Sequence, residues 1–430
     1  FLVSACGAAT TLLALNDAFA AMKRTGGFYE LDRESALDLQ LARSALERDD
    51  FIFDVQGHFV NPTGAWTRAL PAGARPLAGF ARNKGCAAAD SPGLDYLQCL
   101  GADEFIKDVF LDSDTDLVVL SFVPSTAAAE PLKIEEAAAT ARIVEQLQGT
   151  HRMLLHGRVN PNQPGDLESM DELAERWRVS AWKTYTQWGP DGRGFFMDDE
   201  PGLAMIERAR RLGVRNIAIH KGLPFGPRSY EHSTCVDIGR VARRFPDVNF
   251  LIYHSGFVAG RPEGPYDPAR SDGVDALITS LREHGVAPGS NVYAELGSTW
   301  RFVMRDPDSA AHLLGKLLRY VGEDNVLWGT DSIWYGSPQD QIQAFRTFQI
   351  SDALAERHGY PKLTPSLRAK VFGLNALRVY PMPPEVLQHH LPRDRVQRSR
   401  NEYRQAPNPS FLTHGPKSRR EFLALRARGG

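Results

Sequence analysis

The feature that most constrains this chain is a regular alternation of short apolar runs with amphipathic segments of helical period. Runs of this length are typical of buried parallel strands, and eight of them lie at Phe51–Gln56, Leu117–Phe122, Met153–Val159, Ala181–Tyr185, Ile217–His220, Phe250–His254, Val292–Leu296 and Val326–Thr330. Helices are predicted between and after them, at Ile134–Gln148, Leu167–Trp177, Leu203–Leu212, Val236–Phe245, Val274–His284, Ser309–Val321, Gln339–Phe348 and Ser366–Tyr380. Strands that alternate with helices of this length predict parallel β-α units, and eight units predict an α/β fold of the (β/α)8 barrel type.

The predicted barrel covers residues 49–380 and leaves an extension at each end. Residues 1–48 are expected to form a signal-like helical extension with a helix from about Asp32 to Glu47, and residues 381–430 a tail that packs on the barrel. The connection from about Phe59 to Gly101 is rich in Gly, Pro and Ala. Because a long loop without secondary structure is commonly functional in a compact domain, this connection is predicted to be a partial lid.

Charge and hydropathy limit the partners of the chain. The 430 residues carry a formal net charge of −2, which gives no global electrostatic reason to bind nucleic acid. No apolar run reaches the eighteen residues of a membrane span. The arginine-rich last forty or so residues are predicted to be a solvated or packed tail. A near-neutral charge and a long tail are compatible with a homo-oligomer, and the expected partner is a small-molecule substrate.

The four cysteines form no CxxC pair and no zinc-finger spacing. A disulfide between Cys86 and Cys99 would require an oxidising compartment, and the sequence favours cysteines that are not paired. The expectation is therefore a chain without a disulfide.

The first twenty residues have features of an export signal. Phe1-Leu2 resembles the residues that follow the paired arginines of a twin-arginine signal, and Ala18-Phe-Ala20 is of the A-x-A cleavage type. Val3-Ser-Ala-Cys6 is a weaker match to a lipobox. The alternative is an amphipathic first helix. A periplasmic or exported location is predicted, with the cytoplasm as the alternative.

Residues that can bind a divalent metal lie at or just after four of the apolar runs. They are Gln56 and His58 after the first, then His220, His254 and Asp331. Gln56 and His58 are two positions apart, so they share one face of a strand. In a (β/α)8 barrel all C-terminal strand ends converge on one mouth. Imidazoles and a carboxylate delivered there can surround one ion and leave a position open for water or substrate.

Over roughly residues 50–380 the chain resembles the metal-dependent amidohydrolase superfamily. The resemblance rests on an ordered set of strand-end residues, namely Asp54-Val-Gln56-Gly-His58, His220, His254 and Asp331. The likeness is to the branch with aminocarboxymuconate-semialdehyde decarboxylase, resorcylate-type decarboxylases and related lactone or amide hydrolases, and Phe372-Gly-Leu-Asn375-Ala-Leu-Arg378 is similar to its last-helix signature. The resemblance implies that His58, His220 and Asp331 hold one divalent ion, and that Asp331 and His254 are catalytic groups that move a proton.

Gln56 stands where the family pattern has His, or Glu in some decarboxylases. Zinc is the expected ion. A carboxamide oxygen is a harder and weaker ligand than imidazole, so the site should bind zinc less tightly than usual and tolerate manganese or a similar ion better. Three interpretations stay open. Gln56 binds the ion through oxygen, or it binds substrate or water by a hydrogen bond, or the metal has been lost.

Basic residues at strand ends are predicted to bind a substrate carboxylate, and they are Arg158, Lys183 and Lys221. For Lys183, the resemblance adds carboxylation to bridge two ions as an alternative, and structural pairing is another. Trp300 and Arg301 are predicted to line the mouth and contact substrate. For Glu295, an ion pair with Lys183 or Lys221 is favoured slightly over a catalytic role.

Three functions follow from this pattern. The first is a hydrolase in which a metal-activated water attacks an ester, lactone or amide in a small carboxylate-bearing substrate. The second is a non-oxidative decarboxylase on the same scaffold. The third is a binding or assembly subunit in which the metal site has decayed, because fold alone does not establish activity.

Overall fold

The structure is a computed structural model that describes residues 5–148, 151–225 and 230–407. The chain folds into two compact units. Of the described residues, the larger unit contains those within 5–55, Leu155–Thr330 and Asp340–Pro381, and the smaller those within Gln56–Leu154, Asp331–Gln339 and 382–407.

Eight strands form one sheet in chain order, and the pairings described along it are parallel. With an N-terminal β1 (Gly27–Tyr29) outside this sheet, the eight are β2 (Phe53–Gly57), β3 (Leu117–Leu120), β4 (Met153–Arg158), β5 (Ala181–Tyr185), β6 (Asn216–His220), β7 (Asn249–Tyr253), β8 (Val292–Glu295) and β9 (Val326–Leu327). Their side chains are almost all buried, which explains why the runs are apolar on both faces.

The last strand of the sheet returns to the first. In the larger unit, the backbone N–H of Val55 donates to the carbonyl of Trp328 at 3.0 Å. The Asp54 carboxylate supports the same closure, because it accepts the backbone N–H of Thr330 at 3.1 Å and the Thr330 hydroxyl. In the smaller unit, Gly57 forms a parallel bridge with Ser332. The predicted (β/α)8 barrel is therefore confirmed.

Helices follow the strands at nearly all the predicted places. They are α1 (Ala5–Ala21), α2 (Leu39–Leu46), α3 (Ala78–Asn83), α4 (Ala102–Ile106), α5 (Ile134–Gln148), α6 (Asp166–Glu175), α7 (Glu200–Leu212), α8 (Ile238–Arg244), α9 (Gly273–Glu283), α10 (Thr299–Val303), α11 (Pro307–Tyr320), α12 (Gln339–Thr347), α13 (Asp352–His358), α14 (Pro365–Ala369), α15 (Ala376–Val379) and α16 (Arg395–Tyr403).

Local sequence explains where these helices begin and end. Helix α11 starts at Pro307, whose missing N–H costs nothing at a first turn, and the Asp306 side chain accepts the N–H of Ser309. Helix α7 ends at Leu212 and is followed by the C-cap residue Gly213, which has a left-handed φ of 75°.

The predicted helix Ser366–Tyr380 is wrong as one continuous helix. The structure has α14 and α15 on either side of a π-helical turn at Lys370–Leu374. At this turn Gly373 packs so closely on Phe51 that a Cβ atom would lie 2.6 Å from the ring carbon Cδ1. The π-helical turn therefore coincides with the place where the backbone of Gly373 contacts the ring of Phe51.

The N-terminal extension has a strand that the sequence did not predict. Strand β1 pairs antiparallel with β10 (Phe348–Ile350), and the two form a separate two-stranded sheet. Helix α1 is tied to this strand because Asn16 exchanges two hydrogen bonds with the backbone of Tyr29. Ala18-Phe-Ala20 lies within α1, whereas the predicted Phe1-Leu2 signal feature lies outside the described residues. Among those residues, no helix is long and apolar enough to cross a membrane.

The connection from Phe59 to Gly101 belongs to the smaller unit and is not structureless. It contains α3 and several short 3-10 turns, and Arg75 donates to the carbonyls of Ser91 and Ala89. Cys86 and Cys99 form a disulfide, so the expectation of unpaired cysteines is wrong. The spacing of thirteen residues matches no signature, and only the folded connection brings the two thiols together.

The described part of the C-terminal tail packs in the smaller unit. Asp394 caps α16 and forms a buried ion pair with Arg152 on the chain just before β4. Within α16, Arg400 donates to the carbonyl of Phe110. Residues 408–430 of the predicted tail lie outside the described residues.

Candidate active site

Three predicted metal-binding residues lie together in the smaller unit, and we name Gln56, His58 and Asp331 the aspartate cluster. Nε2 of Gln56 donates to Oδ1 of Asp331 at 2.9 Å. Nε2 of His58 lies 3.1 Å from the same oxygen and 3.3 Å from Nε2 of Gln56. All three side chains are buried.

Backbone hydrogen bonds place the aspartate cluster. Gln56 and His58 lie two positions apart at the end of β2 and present their side chains to the same face. The N–H of Asp331 donates to the carbonyl of Gln56, and the N–H of His58 donates to that of Ser332. Asp331 has a left-handed φ of 60°. Such a backbone costs about 1–3 kcal/mol and is often found at functional sites.

Aromatic rings cover the histidine of this cluster. The ring of His58 stacks on Trp334 with centroids 5.3 Å apart, and Trp334 stacks on Phe80 at 4.9 Å. Phe80 belongs to α3 in the predicted lid segment. His58 is only 2% exposed, so its imidazole is shielded from bulk solvent, with Trp334 on its ring face and Gln56 and Asp331 at Nε2.

The chemistry and spacing of the aspartate cluster fit a divalent ion. Ligands about 2.1 Å from one ion lie roughly 3.0–3.4 Å apart in octahedral or tetrahedral geometry, and the cluster atoms are separated by 2.9–3.3 Å. A half turn of the Gln56 carboxamide exchanges its nitrogen for its oxygen, which is a ligand atom. Across the three described ranges, no group of three or more His, Cys, Asp or Glu is arranged to hold a metal. The predicted set with His220 therefore stays a prediction.

The two other predicted histidines form a pair in the larger unit. Parallel register places Tyr185 beside His220 and His220 beside Tyr253, so three strands end at the same level. Nε2 of His254 lies 3.0 Å from Nδ1 of His220. The His220 ring stacks on Tyr185 at 4.9 Å and meets the ring of Phe225 edge-on at 5.2 Å.

A hydrogen bond to Gly297 determines the tautomer of His254. Nδ1 of His254 lies 2.6 Å from the carbonyl oxygen of Gly297, which can only accept, so Nδ1 carries the proton. In a neutral pair, Nε2 of His254 then accepts from Nδ1 of His220. A histidine that binds metal through one ring nitrogen commonly donates the other N–H in this way. Nε2 of His220 lies 3.4 Å from the carbonyl oxygen of Leu223.

Two of the predicted substrate-binding cations have carboxylate partners inside the larger unit. Arg158 donates to Asp166 at 2.7 Å, and the fully buried Lys221 lies 2.9 Å from Asp237. In each pair the carboxylate neutralises much of the positive charge that was expected to bind substrate. The electrostatic attraction that remains for a substrate carboxylate is therefore weak. Their contact with substrate stays a prediction.

Lys183 is also fully buried, and its ammonium lies over two aromatic rings of the larger unit. Nζ is 3.8 Å from the ring centroid of Tyr253 and 4.9 Å from that of Tyr185. Burial, followed by Tyr380, raises the pKa of Tyr253 well above its ordinary value, so this phenol stays protonated. The rings stabilise the ammonium by cation–π attraction. Carboxylation and substrate binding at Lys183 stay predictions.

Trp300 does not line an open site. It is fully buried, packs edge-on against Phe345 and Phe348, and donates its indole N–H to the carbonyl of Gln341. These contacts are those of a core side chain, and its contact with substrate stays a prediction. Arg301 is partly exposed and pairs with Asp340 at 2.6 Å, and its substrate contact stays a prediction.

Two aromatic residues beside the predicted ligands were missed. Tyr185 could have been found from its place at the end of β5, two positions after Lys183 on the same strand face. Phe80 carries no comparable signal, since it lies in a connection without strand or helix periodicity. Only the folded lid segment brings its ring onto Trp334.

Comparisons with known proteins place the chain in a family. The family model described as Amidohydrolase matches residues 53–382, which cover most of the chain and nearly all of the barrel. No curated protein matches the sequence.

Several solved structures are similar at low sequence identity. An uncharacterised TIM-barrel protein from Bordetella bronchiseptica is 14% identical, with 76% of this chain and 97% of that chain covered and a TM-score of 0.49. A 5-carboxyvanillate decarboxylase from Sphingomonas paucimobilis is 16% identical, with coverages of 77% and 99% and a TM-score of 0.46. A manganese-bound 5-carboxyvanillate decarboxylase mutant from Novosphingobium aromaticivorans is 15% identical, with coverages of 78% and 98% and a TM-score of 0.49. These similarities are too distant to assign a reaction, a substrate or a metal.

Proposed function

Because the chain belongs to the amidohydrolase family, we propose that it is a metal-dependent enzyme that removes CO₂ from a small carboxylate-bearing substrate without oxidation. The family leaves both hydrolysis and decarboxylation open. The choice between them comes from the surroundings of the aspartate cluster.

The observation that carries the proposal is the burial of His58 beneath Trp334 and Phe80. A carboxylate is strongly hydrated and CO₂ is not, so an environment that excludes water favours loss of CO₂. Hydrolysis instead needs a water molecule placed beside the same groups. Flat aromatic rings next to the imidazole also suit a substrate with an apolar or aromatic body.

His58 and Asp331 are the proposed metal ligands in the aspartate cluster, with Gln56 as a third ligand through its oxygen. When bound, a divalent ion supplies positive charge that holds the substrate carboxylate and stabilises negative charge as it develops. Zinc is the expected ion and manganese the alternative that the amide ligand favours.

The reaction also requires a group that delivers a proton to the substrate carbon. When the bond to the carboxyl carbon breaks, its electron pair stays on the substrate carbon, which must then take up one proton. Asp331 and His254 are the proposed carriers. The Gly297 carbonyl holds Nδ1–H of His254, so a proton would be gained or lost at Nε2, which lies 3.0 Å from Nδ1 of His220.

Hydrolysis is the second candidate, and the exposure of Asp331 favours it. The Asp331 side chain is 11% exposed, whereas that of His58 is 2% exposed. A carboxylate that water can reach is able to accept a proton from an attacking water molecule. An ester, lactone or amide of a small carboxylic acid would then be the substrate.

The test is turnover in ¹⁸O-labelled water by protein loaded with Mn²⁺ or Zn²⁺. Aromatic and aliphatic carboxylic acids are offered in parallel with their esters, lactones and amides. CO₂ release from an acid, with no ¹⁸O in the organic product, is the expected result. An ¹⁸O-labelled acid formed from an ester would establish hydrolysis instead. No turnover of any compound by the metal-loaded protein would favour a binding or assembly role.

We also propose that the protein works in an exported or periplasmic location. The support is the Cys86–Cys99 disulfide, because disulfides persist in oxidising compartments and are rare in the reducing cytoplasm. Assembly into a homo-oligomer stays a prediction.

A further inference from the structure

We infer that Glu295 is a positioning residue that fixes the ring of His254 for the proposed reaction. Glu295 is the last residue of β8 and is fully buried. A carboxylate in such a place requires strong hydrogen bonds, because the loss of hydration is otherwise very costly. The hydrogen bonds that define its role lie in the larger unit and converge on the turn that carries His254.

Both carboxylate oxygens of Glu295 accept backbone N–H groups of that region. Oε2 accepts the N–H of His254 at 3.0 Å, and Oε1 accepts the N–H of Gly297 at 2.5 Å. The carbonyl of Gly297 in turn receives Nδ1–H of His254 at 2.6 Å. Glu295 therefore holds both the backbone of His254 and the group that orients its ring.

The backbone that Glu295 holds is strained. His254 has φ of 66° and Ser255 has φ of 53°, both in the left-handed region that residues with a side chain rarely adopt. Two further hydrogen bonds secure the same turn. The Ser255 hydroxyl donates to the carbonyl of Glu295 at 2.7 Å, and the Thr299 hydroxyl donates to that of His254 at 3.0 Å. A strained conformation persists only where such contacts over-determine it.

The fixed orientation of the His254 ring also affects the neighbouring His220. With Nδ1–H of His254 held by Gly297, its Nε2 meets Nδ1 of His220 at 3.0 Å. In a neutral pair Nδ1 of His220 then donates to this nitrogen, and the hydrogen bond orients the His220 ring. Glu295 thus acts on both histidines through the backbone groups that it holds.

This role differs from the ion pair that the sequence favoured. Lys221 is paired with Asp237, and the ion pair of Glu295 with Lys183 stays a prediction. A role confined to stability would be served by any interaction of the buried carboxylate. A positioning role requires more, because residue 295 must then present two accepting oxygens to two backbone N–H groups.

Glu295→Gln tests this requirement because it removes one accepting oxygen and keeps the size of the side chain. A carboxamide has one accepting oxygen and one donating NH₂, so one of the two backbone N–H groups would face another donor. Glu263→Gln is the matched control. Glu263 is also a buried carboxylate of the larger unit, but it bonds to Lys316 at 2.6 Å, away from the His254 turn.

The primary readout is ¹⁵N-histidine NMR of the protein without substrate, with the His254 ring signal identified by its absence in His254→Asn. The wild type and Glu263→Gln are expected to share a slowly exchanging Nδ1–H signal, and Glu295→Gln is expected to lose it or exchange it rapidly. An unchanged His254 signal in folded Glu295→Gln would overturn the inference.

Activity gives a second readout that rests on the proposed function. Glu295→Gln should lower kcat by about tenfold to a hundredfold, as for other residues that orient metal-ligand histidines, with KM changed less than about twofold. If the wild type shows no turnover, the proposed function fails while the NMR result still decides the positioning role.

Glu295→Asp covers the case in which the glutamine variant does not fold. Aspartate retains two accepting oxygens but is one methylene shorter, so it cannot reach both N–H groups from the same backbone position. A weakened His254 Nδ1–H signal supports the inference. A signal identical to that of the wild type in Glu295→Asp would contradict it.

Discussion

The carboxamide nitrogen of Gln56 lies 2.9 Å from the carboxylate oxygen Oδ1 of Asp331. This contact links the one residue that departs from the family pattern to the aspartate expected to bind the metal. A glutamate at position 56 would have no N–H to donate, and a histidine that ligated an ion could donate only from its second ring nitrogen. Gln56 therefore has two arrangements available, one that donates to Asp331 and one that presents its oxygen to a cation.

Gln56→His should change the metal preference of the protein. Imidazole is a better ligand for zinc than a carboxamide oxygen, which suits manganese. We expect the ratio of bound zinc to bound manganese to rise about tenfold, within the range of single-residue effects on metal sites. Elemental analysis after dialysis against equal concentrations of both ions measures it. Gln349→His, at the partly exposed β10, is the control, and an equal ratio in both variants would refute the prediction.

Phe80→Ala should weaken both the fold and substrate binding. The ring of Phe80 stacks on Trp334, which in turn covers His58, so its removal admits water to the aspartate cluster. We expect the free energy of unfolding to fall by about 1–3 kcal/mol and KM to rise several-fold. Chemical denaturation and steady-state kinetics measure these effects. Phe302→Ala removes a ring that is 43% exposed, and a KM equal to that of this control would argue against a covering role for Phe80.

His312 should make the fold sensitive to acid. Burial, followed by the nearby His358, lowers the pKa of His312 to about 4. Between about pH 6.5 and 4 the unfolded chain binds a proton at this ring and the folded chain does not. Stability is therefore complete above pH 6.5 and decreases as the pH falls towards 4, by about 1–3 kcal/mol after allowance for screening.

His312→Gln should remove this part of the pH dependence. The free energy of unfolding, measured from pH 7 to pH 4, is expected to fall less steeply in the variant than in the wild type. His151→Gln changes an exposed histidine and serves as the control. The same slope in wild type and His312→Gln would show that acid sensitivity arises elsewhere.

The disulfide in the connection from Phe59 to Gly101 should stabilise the smaller unit. Replacing Cys86 and Cys99 by serine together opens a loop with a sequence separation of 13 and should lower the free energy of unfolding by about 2–4 kcal/mol. Reductant should lower the Tm of the wild type and leave that of the double variant unchanged. Cys6→Ser is the control, because Cys6 is a free cysteine. Alkylation of Cys86 and Cys99 in the native protein without reductant would contradict the assignment.

Much of the barrel could be predicted because a strand buried on both faces has a distinct apolar signature. Strand β5 and helix α5 were predicted at their observed bounds. Strands β1 and β10 were not, since three residues are too few to establish a period. Their pairing depends on contacts between distant parts of the chain.

The site could be predicted in its residue types but only partly in its contacts. Gln56, His58 and Asp331 were found from their places at strand ends, and the structure brings these three together. The ion pairs of Arg158 and Lys221 were not foreseen, because their carboxylate partners lie in helices and loops whose position only the folded chain defines. The hydrogen bonds that Glu295 accepts from backbone N–H groups cannot be predicted from the sequence, because every residue except proline carries such a group.

The most direct measurement is the metal content of purified wild-type protein and of Asp331→Asn after loading with Mn²⁺ or Zn²⁺ and dialysis. Asparagine adopts the left-handed φ of position 331 as readily as aspartate, so the variant removes charge without disturbing the backbone. Asp17→Asn, an exposed carboxylate paired with Arg33, is the matched control. We predict about one divalent ion per chain in the wild type and the control, and less than a tenth of that in Asp331→Asn. A wild type that retains no ion, or an Asp331→Asn variant that retains as much as the wild type, would contradict a metal-dependent site at Asp331.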